Sequence, residues 1–113
     1  MTGYSRGDVV LVSFVFSDET GERRRPAVIV SSDAYHSGRQ EAIFEAITSN
    51  TDRILAGDHL VSDWKGAGLL FPSVATSIIR TVKHGMVAKK LGTMPRDDMR
   101  AIEENLTEIL GLS

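Results

Sequence analysis

Arg23-Arg24-Arg25-Pro26-Ala27-Val28-Ile29-Val30-Ser31-Ser32 is the stretch on which the reading of the chain turns. Three arginines stand side by side, a proline follows them, and a β-branched run follows the proline. Proline lacks an N–H and fixes φ, so it suits the start or edge of a strand. Val28, Ile29 and Val30 are stiff at χ1 and favour a pleated backbone. The stretch therefore reads as a positively charged loop that turns at Pro26 into a buried strand. Guanidinium groups at the mouth of a rigid element suit phosphate, because the planar fork of arginine matches phosphate oxygens. A surface loop whose charges keep a sheet edge from aggregating explains the same residues equally simply.

Upstream, Gly7-Asp8 punctuates before Val9-Val10-Leu11-Val12-Ser13-Phe14-Val15-Phe16, which is apolar on nearly every position and predicts a central strand. The polar, turn-rich residues 17–22 join it to the arginines as a long hairpin. Downstream, residues 31–40 predict a loop with a single helical turn. Residues 41–48, Glu-Ala-Ile-Phe-Glu-Ala-Ile-Thr, fit two patterns: Ile43, Phe44 and Ile47 have helical spacing, while Ala42, Phe44, Ala46 and Thr48 alternate with Ile43, Glu45 and Ile47. The pattern alone leans towards helix. His59 to Trp64 alternates and reads as extended, and Lys65-Gly66-Ala67-Gly68 breaks it. Val74 to Val82 and Met86 to Leu91 predict two further strands on either side of Gly85. Pro95, Asp97 and Asp98 suit the first turn of a helix. Met99, Ile102, Leu106, Ile109 and Leu110 give that helix an apolar stripe, and Gly111 ends it. Short strands, long loops and one closing helix point to a mainly β domain, a small partly open barrel or strongly curved sheet.

The 113 residues make one domain, residues 1–113. There are no cysteines, hence no disulfide framework and no thiolate metal site. The N-terminus has no apolar stretch after its charge and no window could span a membrane, so a cytoplasmic protein is expected. A net charge of −2 argues against coating nucleic acid nonspecifically but leaves room for a local basic site. His36, His59 and His84 are scattered, and no metal-binding motif or nucleophile elbow occurs. No metal and no cofactor are expected. Trp64 reads as a core or interface residue, and Lys89-Lys90 as a solvated strand edge.

Taken together, several motifs carry a resemblance. Gly7-Asp8-Val9-Val10-Leu11-Val12, then Arg24-Arg25-Pro26-Ala27-Val28-Ile29-Val30, then Ala46-Ile47-Thr48-Ser49-Asn50 resemble the MazF/PemK family of toxin endoribonucleases. Pro72-Ser73-Val74, Ile79-Arg80-Thr81 and Lys89-Lys90-Leu91-Gly92-Thr93, followed by an amphipathic helix, continue the match over roughly residues 6 to 111. The resemblance implies a small SH3-like β-barrel of the MazF/PemK/CcdB kind with short helices and a C-terminal helix. It also makes residues 41–48 a strand ending at Thr48, against the helical lean.

The resemblance further implies metal-independent, sequence-selective cutting of single-stranded RNA, expected to be messenger RNA, with 2′,3′-cyclic phosphate and 5′-OH ends. The partners it implies are a second copy of the chain and an acidic MazE-like antitoxin, with DNA reached only through the antitoxin complex. Arg25 falls on the family's Arg-Pro position and Thr48 on its Ile-Thr position, which makes them the catalytic pair. Arg23, Arg24, Ser49, Asn50 and Arg80 are the accompanying RNA-binding candidates. Relatives that carry a glutamate in the loop before the arginine make Glu19 and Glu22 the acid/base candidates. Where some relatives carry a basic residue after Pro-Ser-Val, this chain has Ala75-Thr76, so a second cation would come from Arg80 or Arg24. Two other readings fit such a barrel: a same-fold toxin that poisons a DNA topoisomerase, and a noncatalytic barrel binding peptide or RNA. The apolar side of Trp64 and the strand from Val74 are the faces expected to pair in a homodimer.

Overall fold

In the computed structural model, residues 3–14 and 23–112 are described, with the Phe14 and Arg23 side chains left aside. Six strands form one antiparallel sheet: β1 (Asp8–Phe14), β2 (Arg23–Ile29), β3 (Glu41–Thr48), β4 (His59–Leu60), β5 (Val74–Lys83) and β6 (Val87–Thr93). Their order across the sheet is β4-β5-β3-β2-β1-β6. Among the described residues there are also two α-helices, the single turn α1 (Asp33–His36) and the long α2 (Arg96–Ile109), and a short 3-10 turn at His84–Met86 between β5 and β6.

The apolar run at Val9 becomes β1, flanked by β2 on one side and β6 on the other. Both of its faces are buried, which is why it lacks alternation. Val9 joins a core with Val28, Ile47, Met99 and Ile102 under α2. Val10 and Val12 join a second core on the opposite face with Ile29, Ala42 and Phe44. Residues 41–48 are strand, as the resemblance implies and the pattern alone does not. Ala42, Phe44, Ala46 and Ile47 are all buried, so strict polar alternation has no reason to appear.

Three register shifts, in two of the ladders, bend the sheet. The β1–β6 register shifts between Val9 and Val10 and again between Leu11 and Val12. Between β3 and β5 the register shifts from Glu45↔Ile79 to Ile47↔Ala75, so β5 carries the longer path. Thr76 fills the gap: its Oγ1 donates to the Ala46 carbonyl (2.8 Å) and accepts from the Ile78 N–H (3.2 Å). Bulges of this kind increase local twist and close a sheet on itself.

Several expectations are corrected. The three arginines are not a loop, because β2 already begins at Arg23 and pairs with β1 through Phe14↔Arg23 to Val9↔Val28. Pro26 lies inside the strand, one residue before pairing with β3 begins at Ala27↔Ala46, so no ladder bond to β3 is lost. The alternation from His59 to Trp64 gives only a two-residue strand. Beyond it, the Asp98 carboxylate of α2 takes the N–H groups of Ser62 (2.7 Å) and Asp63 (3.1 Å) and turns the chain. Of the faces expected to pair, Trp64 packs on the core beneath α2 and Val74 itself is buried, whereas the strand from Val74 opens further along, with Ile78 40% exposed. The apolar side chains left exposed include Ile54, Leu55, Leu60, Ile109, Leu110 and Leu112, so the stripe of α2 is buried at its start and open at its end. The loop holding Glu19 and Glu22 lies outside the described residues.

A candidate RNA-cleaving site

Where β2 outruns β3, the sheet leaves a cavity of about 410 Å³. Arg24, Arg25 and Pro26 of β2 line it, as do Ile47, Thr48 and Ser49 at the end of β3. Lys89 and Leu91 of β6, Leu11 of β1 and the segment Gly68 to Phe71 complete the wall with Ser73. The register explains part of this gathering. Leu11 stands opposite Pro26 on one side and Lys89 on the other, and residues directly opposite in a ladder share a face. A lysine two strands away from the arginines is thereby brought beside them.

Thr48 is the last residue of β3, with its backbone paired to Val74. Its Oγ1 accepts the Asn50 N–H at 3.1 Å, and Asn50 Oδ1 accepts the Asp52 N–H at 3.1 Å. That bond uses one lone pair of the hydroxyl and leaves its proton available to donate to an anion in the cavity. Arg25 is half-buried and Arg24 exposed, so the cavity presents one screened and one solvated guanidinium. An arginine keeps its charge throughout the working range and suits stabilising an anion rather than removing a proton.

The sequence candidates separate into groups. Arg24, Arg25, Thr48 and Ser49 meet in the cavity. Asn50 is outside the lining, and its backbone N–H instead fixes Thr48. Arg23 lies in β2 two residues before Arg25. Arg80 is not brought to the cavity: it pairs with Phe44, six residues along β5 from the end that meets Thr48 at Val74, and its guanidinium donates to the Ile79 carbonyl. Lys89 is the cation that sequence reasoning missed. Strand alternation was the available signal, since it sends Lys89 to the cavity and Lys90 to the Asp8 carboxylate (3.2 Å).

Two polar clusters outside the cavity hold the frame. Ser31 Oγ lies 2.6 Å from His36 Nε2, and His36 Nδ1 lies 3.6 Å from Asp33. The order Ser-His-Asp is that of a hydrolase triad, but Ser31 is buried and its Oγ accepts the Ile43 N–H at 2.9 Å. The cluster ties the α1 turn to β3. Burial pushes His36 below the ordinary histidine range, against the opposing pull of Asp33. Asp98 is the second anchor. Burial works to raise its carboxyl, but the Ser62 N–H, His59 and the Asp63 N–H prevail and hold it below the ordinary carboxylate range. The turn it caps packs closely on β6: Gly68 has φ +85°, and a Cβ there would strike the Leu91 carbonyl. Among the described residues no three His, Cys, Asp or Glu side chains gather as a metal site would require.

Residues 5–110 match the family model of the PemK-like, MazF-like toxins of type II toxin–antitoxin systems. The chain belongs to this family. Solved structures place the same fold around it. An endoribonuclease from a Mycobacterial species, in complex with its cognate antitoxin, is 23% identical, with 98% of each chain covered and a TM-score of 0.76. The Mycobacterium tuberculosis toxin MazF-mt6 is 20% identical over 94% of this chain and 98% of its own, with a TM-score of 0.75. A MazE–MazF structure from Deinococcus radiodurans gives 19% identity, 97% coverage of each chain and a TM-score of 0.77. No match is found among the curated proteins. In this MazF/PemK-family chain, Arg24 and Arg25 of β2 and Lys89 of β6 line one cavity with Thr48 at the end of β3.

Proposed function

We propose that this MazF-like toxin is an endoribonuclease that cuts single-stranded RNA without a metal ion and is neutralised by an acidic antitoxin. The observation that carries this reading is the convergence of Arg25, Thr48, Arg24 and Lys89 on one cavity. In the proposed reaction the ribose 2′-OH gives up its proton to solvent and its oxygen bonds to the neighbouring phosphorus. The P–O5′ bond then breaks and O5′ takes a proton from solvent. Protons balance, and neither water nor an external nucleophile is consumed. The products are a 2′,3′-cyclic phosphate and a 5′-OH. Negative charge grows on the phosphoryl oxygens, where Arg25 neutralises it and the Thr48 hydroxyl donates a hydrogen bond. A preorganised donor of this kind is worth about 10²- to 10³-fold in rate.

The same cations attract the acidic antitoxin, so RNA and antitoxin compete for the cavity and both bind more weakly as salt rises. Saturating binding of the two together would contradict the shared site. A topoisomerase poison or a noncatalytic barrel would have no use for the Arg25–Thr48 pairing, which favours the nuclease.

The test is incubation of the purified protein with a pool of random single-stranded RNA in EDTA, with the new ends mapped. Cutting persists and leaves cyclic-phosphate and 5′-OH ends, and Arg25→Ala and Thr48→Ala each lose about 10²-fold or more while remaining folded. Activity that disappears in EDTA and returns with Mg²⁺, or two variants as active as the wild type, would refute the mechanism.

A further inference from the structure

The cations of the cavity answer the phosphates of an RNA strand, and the strand also presents flat apolar bases. At the mouth of the cavity stand Leu70, 82% exposed, and Phe71, 63% exposed. The backbone that carries them is anchored on both sides. Leu69 and Ser73 on either side are buried. The Leu69 N–H donates to the Trp64 carbonyl (3.0 Å), the Val61 N–H to the Ser73 carbonyl (2.9 Å), and Ser73 Oγ to the Phe71 carbonyl (2.7 Å). Pro72 stiffens the same step. The lip therefore projects its apolar side chains from a fixed backbone.

Phe71 and Ser49 also line an adjoining cavity of about 340 Å³, together with Thr51 and Pro72. Phe71 is thus part of the wall common to two neighbouring spaces, one bearing the cations and one bearing hydroxyls. Both lie in the size range of small-ligand pockets. An aromatic face is a platform for any base, and hydroxyls beside it can address the base edge.

We propose that Phe71 seats a nucleobase of single-stranded RNA by stacking, beside the phosphate held by Arg24, Arg25 and Lys89, with Ser49 and Thr51 facing the base edge. The inference rests on the nuclease reading above and names which face of the substrate the site grips. Phe71 is a positioning residue: it fixes the register of the strand and leaves the chemistry to Arg25 and Thr48.

The probe is an RNA oligonucleotide containing a cut site mapped with the wild type, made uncleavable by one 2′-deoxy nucleotide there and carrying 2-aminopurine next to it. Wild type quenches the 2-aminopurine on binding. Phe71→Ala loses the quench and binds roughly 5- to 150-fold more weakly, the range expected for one stacked base. Phe71→Leu keeps apolar bulk without the π-face and loses affinity too, whereas Phe71→Trp retains it. All three keep the wild-type melting temperature because the ring is exposed. Equal affinity and unchanged cut positions for Phe71→Ala, with the wild type still cutting RNA, would overturn the stacking role and leave the nuclease reading standing. Phe71→Leu behaving as wild type would also overturn it. Loss of antitoxin binding with RNA binding intact would assign the lip to a protein partner instead. A wild type that neither cuts nor binds RNA would overturn both proposals.

Discussion

Glu45 sits in the middle of β3, opposite Val28 and Ile79, and is buried in the sheet. Burial, assisted by the nearby Asp58 carboxylate, pushes its carboxyl from 4.5 up to about 8. The native fold therefore keeps a proton on Glu45 at neutral pH, where the unfolded chain releases it. With the folded value above the unfolded one, the contribution to stability is full below pH 4.5 and is lost as pH rises through about 8. The loss is on the order of 5 kcal/mol across that window. Glu45→Gln removes the titration while keeping size and polarity. Denaturant melts at pH 5 and pH 8.5 should show this as a wild type that weakens with pH and a variant that weakens much less. A variant with the same pH slope as the wild type would contradict the assignment. Nothing in the sequence pattern marks Glu45 as buried, since a glutamate on an alternating strand normally faces water.

At the scale of elements, the strands rich in β-branched residues were legible because they are buried on one or both faces over most of their length. β1 and the first half of β5 are examples. Residues 41–48 were not legible from pattern, because burial on both faces erases the alternation that distinguishes strand from helix. The resemblance resolved them. The end of β4 was illegible for a different reason: the hydrogen bonds that turn the chain at Ser62 and Asp63 come from Asp98, which lies more than thirty residues away. The site shows the same division. Arg25 and Thr48 sit within recognisable motifs, whereas Lys89 joins them only through register across β1. α2 carries a further consequence. Met99 and Ile102 are buried, but Ile109 is 40% and Leu110 51% exposed. Asn105 donates to the Gly57 and Asp58 carbonyls, bringing the turn after Leu55 against this end of the helix. We propose that this open end, with Leu55 and Leu112, is where two copies of the chain pair. Light scattering at micromolar concentration should give the mass of a dimer, and Leu110→Arg should shift it towards monomer. A wild type that is monomeric throughout would contradict the pairing.

Taken whole, the molecule is a curved antiparallel sheet with α2 covering one face and a cation-lined cavity at the ends of β2 and β3. The three register shifts bend the sheet, and the Asp98 and His36 clusters secure the loops on either side. Arg25 and Thr48 are thereby held on separate strands around one cavity. In the proposed reaction the nucleophile belongs to the RNA, and this cavity stabilises the charge its attack creates. The most direct measurement compares two oligonucleotides that differ only by a 2′-OH or a 2′-H at the mapped cut site, with cleavage and binding followed in EDTA. The deoxy strand should bind within a few-fold of the ribo strand and not be cut. Cutting of the deoxy strand at a rate comparable to the ribo strand would contradict that reaction.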